Sequence, residues 1–167
     1  MAEEYVFDSV QVKSASGSFR RASQTYYFPA RAGSVGATAG AVQNNDTGVV
    51  TVPASVTAGT FCIPLSLHEN DIITSFSVSG QIESAGGAVT VDADLRATTA
   101  AAADLTDASI GAITQISKTA DYLINDEKTG LSHTVISGNS YYVLITVTTA
   151  ASTDVALQGV EVTVNQE

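Results

Sequence analysis

From residue 60 onward, apolar side chains fall at every second position in one short run after another. Phe61 to Leu67, Ile72 to Ile82, Val89 to Leu95, Tyr141 to Val147 and Val155 to Val164 all show this period. A period of two places one strand face in a core and the other in water. Ser, Thr, Gln and Asp occupy many intervening positions and suit a wetted sheet face. The pattern predicts strands near 49–53, 60–67, 72–83, 88–97, 112–118, 131–136, 140–148 and 155–164. Turn residues separate them, as in Ala85-Gly-Gly-Ala88 and Ser137-Gly-Asn139. Residues 97–109, with four consecutive alanines followed by Asp104 and Asp107, are the one place where a helical turn is expected. The fold class that follows is all-β: an antiparallel two-sheet β-sandwich, jelly-roll-like, spanning 47–167. Its expected core is Ile63, Leu65, Leu67, Phe76, Val78, Val89, Val91, Leu95, Tyr142, Leu144, Leu157 and Val162.

Residues 1–46 have a different character and are expected to form an extended N-terminal arm. Tyr5 to Val12 and Gln24 to Phe28 read as strands, separated and followed by small-residue stretches with little area to bury. Of the chain's six Tyr and five Phe, Tyr5, Phe7, Phe19, Tyr26, Tyr27 and Phe28 lie here. With Arg20, Arg21 and Arg31 they are the expected partner-binding residues of the arm. The alternative is that these strands join the same sandwich.

Charge sharpens that division. Residues 1–50 carry four basic and four acidic residues, whereas 51–167 carry three basic and thirteen acidic ones, which accounts for the net −10. So acidic a chain is not expected to bind nucleic acid, which calls for clustered Lys and Arg. No run approaches the ~20 apolar residues of a membrane span, so no membrane is expected as partner. The opening Met-Ala-Glu-Glu-Tyr lacks the basic and apolar segments of a secretory signal, so synthesis in a cytoplasm is expected. Cys62 is the single cysteine and is expected to be an inert thiol in a strand.

Candidate chemistry is sparse. His68 and His133 lie far apart and have no partner at zinc-ligand spacing. Asp92, Asp94 and Arg96 share one strand face, where paired carboxylates suit calcium or glycoside chemistry but more simply form a solvated row. Asp121, Asp126 and Glu127, near the turn residues Asn125 to Gly130, are expected to form an acidic loop, without the EF-hand frame. Neither a nucleophile elbow nor a phosphate loop occurs. The expectation is a protein that is not an enzyme and takes no cofactor or metal.

Three segments carry a family resemblance: Phe61 to Gly80, with Ile-x-Ser-Phe-Ser-Val-Ser-Gly closing it, Ser137 to Val147, and Val155 to Val164. Together they resemble small β-sandwich proteins of tailed bacteriophage particles, including head-decoration, head-fibre and tail-associated proteins. The resemblance covers 60–164 and consists of strand patterns without catalytic content. It implies a virion structural protein made in the host cytoplasm, first of all a capsid decoration or cement subunit anchored by its arm. Its partners would be a capsid protein or neighbouring virion subunit, and copies of itself in a homotrimer. The alternative is a tail- or fibre-associated receptor-binding (adhesin) β-sandwich domain.

Overall fold

The computed structural model describes residues 11–13, 19–21, 23–35, 43–44, 48–100 and 104–166. In chain order the strands are β1 (Gln11–Lys13), β2 (Phe19–Arg21), β3 (Gln24–Pro29), β4 (Ser34–Val35), β5 (Gln43–Asn44), β6 (Val50–Val52), β7 (Gly59–Leu65), β8 (Ile72–Ser84), β9 (Val89–Ala100), β10 (Leu105–Ala112), β11 (Ile116–Lys118), β12 (Tyr122–Lys128), β13 (His133–Thr134), β14 (Ser140–Thr149) and β15 (Thr153–Asn165). A single 3-10 turn, Ala30–Ala32, interrupts them.

Two antiparallel sheets face each other. One is six-stranded, ordered β10-β9-β14-β7-β4, with β11 also on β9. The other is seven-stranded, ordered β12-β8-β15-β6-β5, with β13 on β8 and β3 on β15. Period-two alternation sends Phe61, Ile63, Val91, Leu95, Val143 and Ile145 inward from the first sheet. Val50, Phe76, Val78, Ile82, Leu157, Val160 and Val162 meet them from the second. Removing this apolar surface from water, at about 25 cal/mol per Å², is the main force holding the sheets together. Leu157 and Val162 both point inward despite their odd spacing, because a bulge between Leu157 and Gly159 resets the parity of β15.

Four expectations change. The row of β14 that faces the core is Tyr141, Val143, Ile145 and Val147; Tyr142 and Leu144 are half-buried on the outer face, and Leu67 is half-buried too. The outward row also carries Thr146 and Thr148, polar side chains suited to a wetted face, and the Thr148 hydroxyl accepts the Ala58 N–H at 3.2 Å. Residues 97–109 form no helical turn in their described part: β9 runs to Ala100 and β10 starts at Leu105, paired from Leu105↔Ala100 onward. The acidic segment from Tyr122 to Lys128 is an edge strand paired with β8, since an edge needs an apolar inner row on one face only.

The segment before residue 47 is divided. β3 pairs with β15 over six residues, β4 with β7 and β5 with β6, so these stretches are strands of the sandwich rather than parts of an arm. Ala30 is fully buried. A Cβ on Gly33 would collide with the Cys62 carbonyl and the Phe61 ring, so glycine allows the chain to pass close over β7 there. β1 and β2 pair only with each other among the described residues, in the register Val12↔Arg20.

Candidate functional site

The outer face of the six-stranded sheet carries the largest side-chain network. Leu144 lies between Asp94 and Cys62, and Tyr142 between Arg96 and Pro64, in direct cross-strand register. Arg96 Nε donates to Asp107 Oδ2 at 2.9 Å, and its other nitrogens reach Asp94 and Asp107. The Tyr142 hydroxyl donates to Asp107 Oδ1 at 2.7 Å, and the Ser109 hydroxyl donates to Asp94. Gln115 donates to both oxygens of Asp92. These bonds hold the Asp107 carboxyl below its ordinary value, Arg96 first and Tyr142 second. The Tyr142 phenol is raised, chiefly by burial and then by Asp107. Burial, followed by Asp107, also raises the Cys62 thiol. Arg96 is thus committed to Asp94 and Asp107, while Asp92 is met by the neutral Gln115 amide.

The outer face of the seven-stranded sheet is different. Tyr27, Glu161, Ser77 and Glu127 are successive cross-strand neighbours on β3, β15, β8 and β12. A recess of about 230 Å³ lies along this row, lined by Thr25, Ser75, Ser77, Asn125, Glu127, Glu161 and Thr163. Thr25 and Thr163 share a hydrogen bond of 3.0 Å. The side chains of Ser75, Ser77, Asn125, Glu127 and Glu161 have no hydrogen-bond partner among the described residues. Ser75 is only 8% exposed as a residue, with its hydroxyl open to the recess.

One end of the sandwich holds two adjoining recesses that share Ile136 and Asn139, of about 500 Å³ and about 370 Å³. Tyr141 organises them: its hydroxyl accepts the Ile136 N–H at 2.9 Å, and its ring meets His133 edge-on at 5.7 Å. Burial lowers the His133 pKa. Asp71, 4% exposed, is tied by its carbonyl to Val135 N–H at 2.8 Å, while its Oδ2 has no partner.

The residues expected to bind a partner are scattered by the fold. Tyr5 and Phe7 lie outside the described residues, as do the side chains of Phe19, Arg20 and Arg21 on β2. Tyr26 and Phe28 pack half-buried against the chain's own core, with ring centroids 6.5 Å apart, and Tyr26 also meets His68. Tyr27 alone of the three is exposed, at 48%, and Arg31 sits exposed in the 3-10 turn. The acidic trio is split: Asp121 accepts Ser84 N–H, Asp126 accepts the Tyr122 hydroxyl, and Glu127 lines the recess. Among the described residues no three His, Cys, Asp or Glu side chains converge as metal ligands. Glu161 and Ser77 carried no signal beyond an outward position in an alternating strand. Only the pairing brings them beside Glu127.

No protein-family model matches the chain, and no curated protein does. Among solved structures it is similar to the N-terminal CBM22-1–GH10 modules of Clostridium thermocellum endo-1,4-beta-D-xylanase 10B complexed with xylohexaose. That match has a TM-score of 0.50 and 10% identity, over 87% of this chain and 28% of that one. A family two carbohydrate esterase from Cellvibrio japonicus matches with a TM-score of 0.39 and 12% identity, over 87% of this chain and 35% of that one. TmCBM61 in complex with beta-1,4-galactotriose matches with a TM-score of 0.38 and 9% identity, over 84% of this chain and 86% of that one. At these identities the likeness is one of fold alone. The chain spans less than a third of the length of the xylanase structure.

Proposed function

We propose that this chain is a non-enzymatic structural subunit of a bacteriophage particle whose sandwich serves as a binding domain, of adhesin type. The observation that carries the binding role is the contrast between the two outer faces. On one, Arg96 is committed to Asp94 and Asp107, while on the other Ser75, Ser77, Asn125, Glu127 and Glu161 line a recess without a side-chain hydrogen-bond partner among the described residues. Unpaired groups held on rigid strands suit recognition, because ordering them costs little on binding. Phage membership rests on the strand-pattern resemblance of residues 60–164, and so does the virion as its location.

A second reading, capsid decoration, is favoured by β1 and β2. Among the described residues they pair only with each other, as a ribbon, and Lys13, Arg20 and Arg21 fall on them while the net negative charge lies in 51–167. Such a ribbon would engage a capsid or neighbouring virion subunit, with three copies closing around a three-fold position.

Sedimentation of a lysate from the cell that produces the chain tests both. The chain should travel with particles; its confinement to the supernatant overturns virion membership. Particles lacking it should adsorb to cells several-fold less well. Unchanged adsorption with lowered head stability replaces the adhesin reading with decoration.

A further inference from the structure

We infer that the outer face of the seven-stranded sheet is a binding site for a neutral oligosaccharide, with Tyr27 as the ring platform and Glu161, Ser77 and Glu127 as the hydroxyl-binding row. This deepens the binding-domain reading and rests on it. The row crosses β3, β15, β8 and β12 in direct register, so its geometry is set by backbone pairing rather than by loops.

The ring is fixed before any ligand arrives. The Tyr27 hydroxyl donates to the Gln158 carbonyl at 3.0 Å, and a Cβ on Gly159 would strike both that hydroxyl and the ring edge. Glycine at the bulge therefore lets the ring lean over β15 toward Gln158, with 48% of the residue still exposed, and Tyr27 pairs in strand register with Glu161, which lines the recess. An immobilised aromatic of this kind offers an apolar surface at little entropic cost.

The recess supplies the complementary chemistry. Carboxylates accept only, hydroxyls both donate and accept, and the Asn125 amide does both through separate atoms. Ser75 and Ser77 add hydroxyls to the recess that make no hydrogen bond among the described residues and stay open to a ligand.

Glu161 and Glu127 stand on strands separated by β8, roughly 9.5 Å apart at ~4.8 Å per strand spacing. No third His, Cys, Asp or Glu among the described residues joins them, so the two form no closed cation site. The ligand must be elongated, donate hydrogen bonds at separated points and carry an apolar patch for Tyr27. Sugar rings joined in a chain have hydroxyls at their edges and C–H groups on their faces. A polyamine would meet both carboxylates, but would lay bare methylenes over Ser75, Ser77 and Thr163.

The test uses the full chain on an array of neutral oligosaccharides built from glucose, galactose, mannose, xylose or N-acetylglucosamine, with spermidine titrated separately by calorimetry. At least one neutral series should be retained. Glu161→Gln and Glu127→Gln, both conservative changes at the surface, should each weaken retention about 10- to 100-fold, the loss of a charged hydrogen bond. Tyr27→Ala, checked for an intact fold by its melting curve, should weaken it at least tenfold. Thr148→Ala on the opposite sheet should change nothing. Retention that survives Glu161→Gln and Tyr27→Ala overturns the assignment of this face while leaving a binding domain. No retention of any neutral glycan overturns the sugar, and spermidine binding lost in Glu161→Gln transfers the face to polyamines.

Discussion

Tyr142 and Arg96, on neighbouring strands, hold the same carboxylate: Asp107 accepts the Tyr142 hydroxyl at 2.7 Å and Arg96 Nε at 2.9 Å. The pair stitches β10, an edge strand, to the middle of the six-stranded sheet by side chains as well as by its backbone ladder.

That arrangement has a pH signature. The folded Asp107 carboxyl lies below its ordinary value of 3.8, with Arg96 the larger cause and Tyr142 the next. A depressed acid stabilises the fold above its unfolded pKa, and the contribution is lost as pH falls through the folded value. Asp107→Asn should therefore lower the melting temperature slightly at pH 7. The cost is about 1 kcal/mol at most, since the Asp107 side chain is 41% exposed and screened by solvent. The gap should begin to shrink as pH falls toward 3.8 and close only below the depressed folded value. A gap that stays constant to pH 2 in thermal melts would show that the carboxylate charge contributes nothing.

The register of β14 is tested by a pair of truncations. Ile145 is fully buried, so Ile145→Ala should cost roughly 2–5 kcal/mol through lost transfer energy and a residual cavity. Leu144 is half-buried on the outer face beside Asp94 and Cys62, and Leu144→Ala should cost under about 1.5 kcal/mol. Denaturant unfolding of the two variants checks the order; equal losses would refute the register.

Two deletions test how the N-terminal segment is shared between ribbon and sandwich. Removing residues 1–22 takes away β1 and β2, which pair only with each other among the described residues, so the sandwich should melt within a few degrees of the full chain. Removing 1–46 also strips β3 from β15 and takes Ala30 from the core. That protein should lose cooperative unfolding or melt far lower by circular dichroism. Equal melting of both deletions would make β3 dispensable.

Much of this fold was legible in the chain because a half-buried strand writes its own period. Phe61-Ile63-Leu65 and Val89-Val91-Leu95 point inward in the fold as the alternation requires. The all-β class and two-sheet architecture follow from such rows, since each needs a second apolar face to cover it. Where both rows of a strand are apolar, alternation cannot choose between them. Tyr142 and Leu144 compete with Tyr141, Val143 and Ile145, and only packing against the opposite sheet turned the latter inward. Edge strands were equally silent. Tyr122–Lys128 reads as an acidic turn, and Gln24–Pro29 as part of an arm, because a strand at the margin needs little buried surface of its own. The candidate site lay beyond local reading altogether. Tyr27, Ser77, Glu127 and Glu161 are distant in sequence, each an ordinary outward residue, and become one row only when β3, β15, β8 and β12 align. Local periodicity reports which side of a strand is wet, whereas strand order and register are long-range pairings, and they alone decide which wet residues stand together.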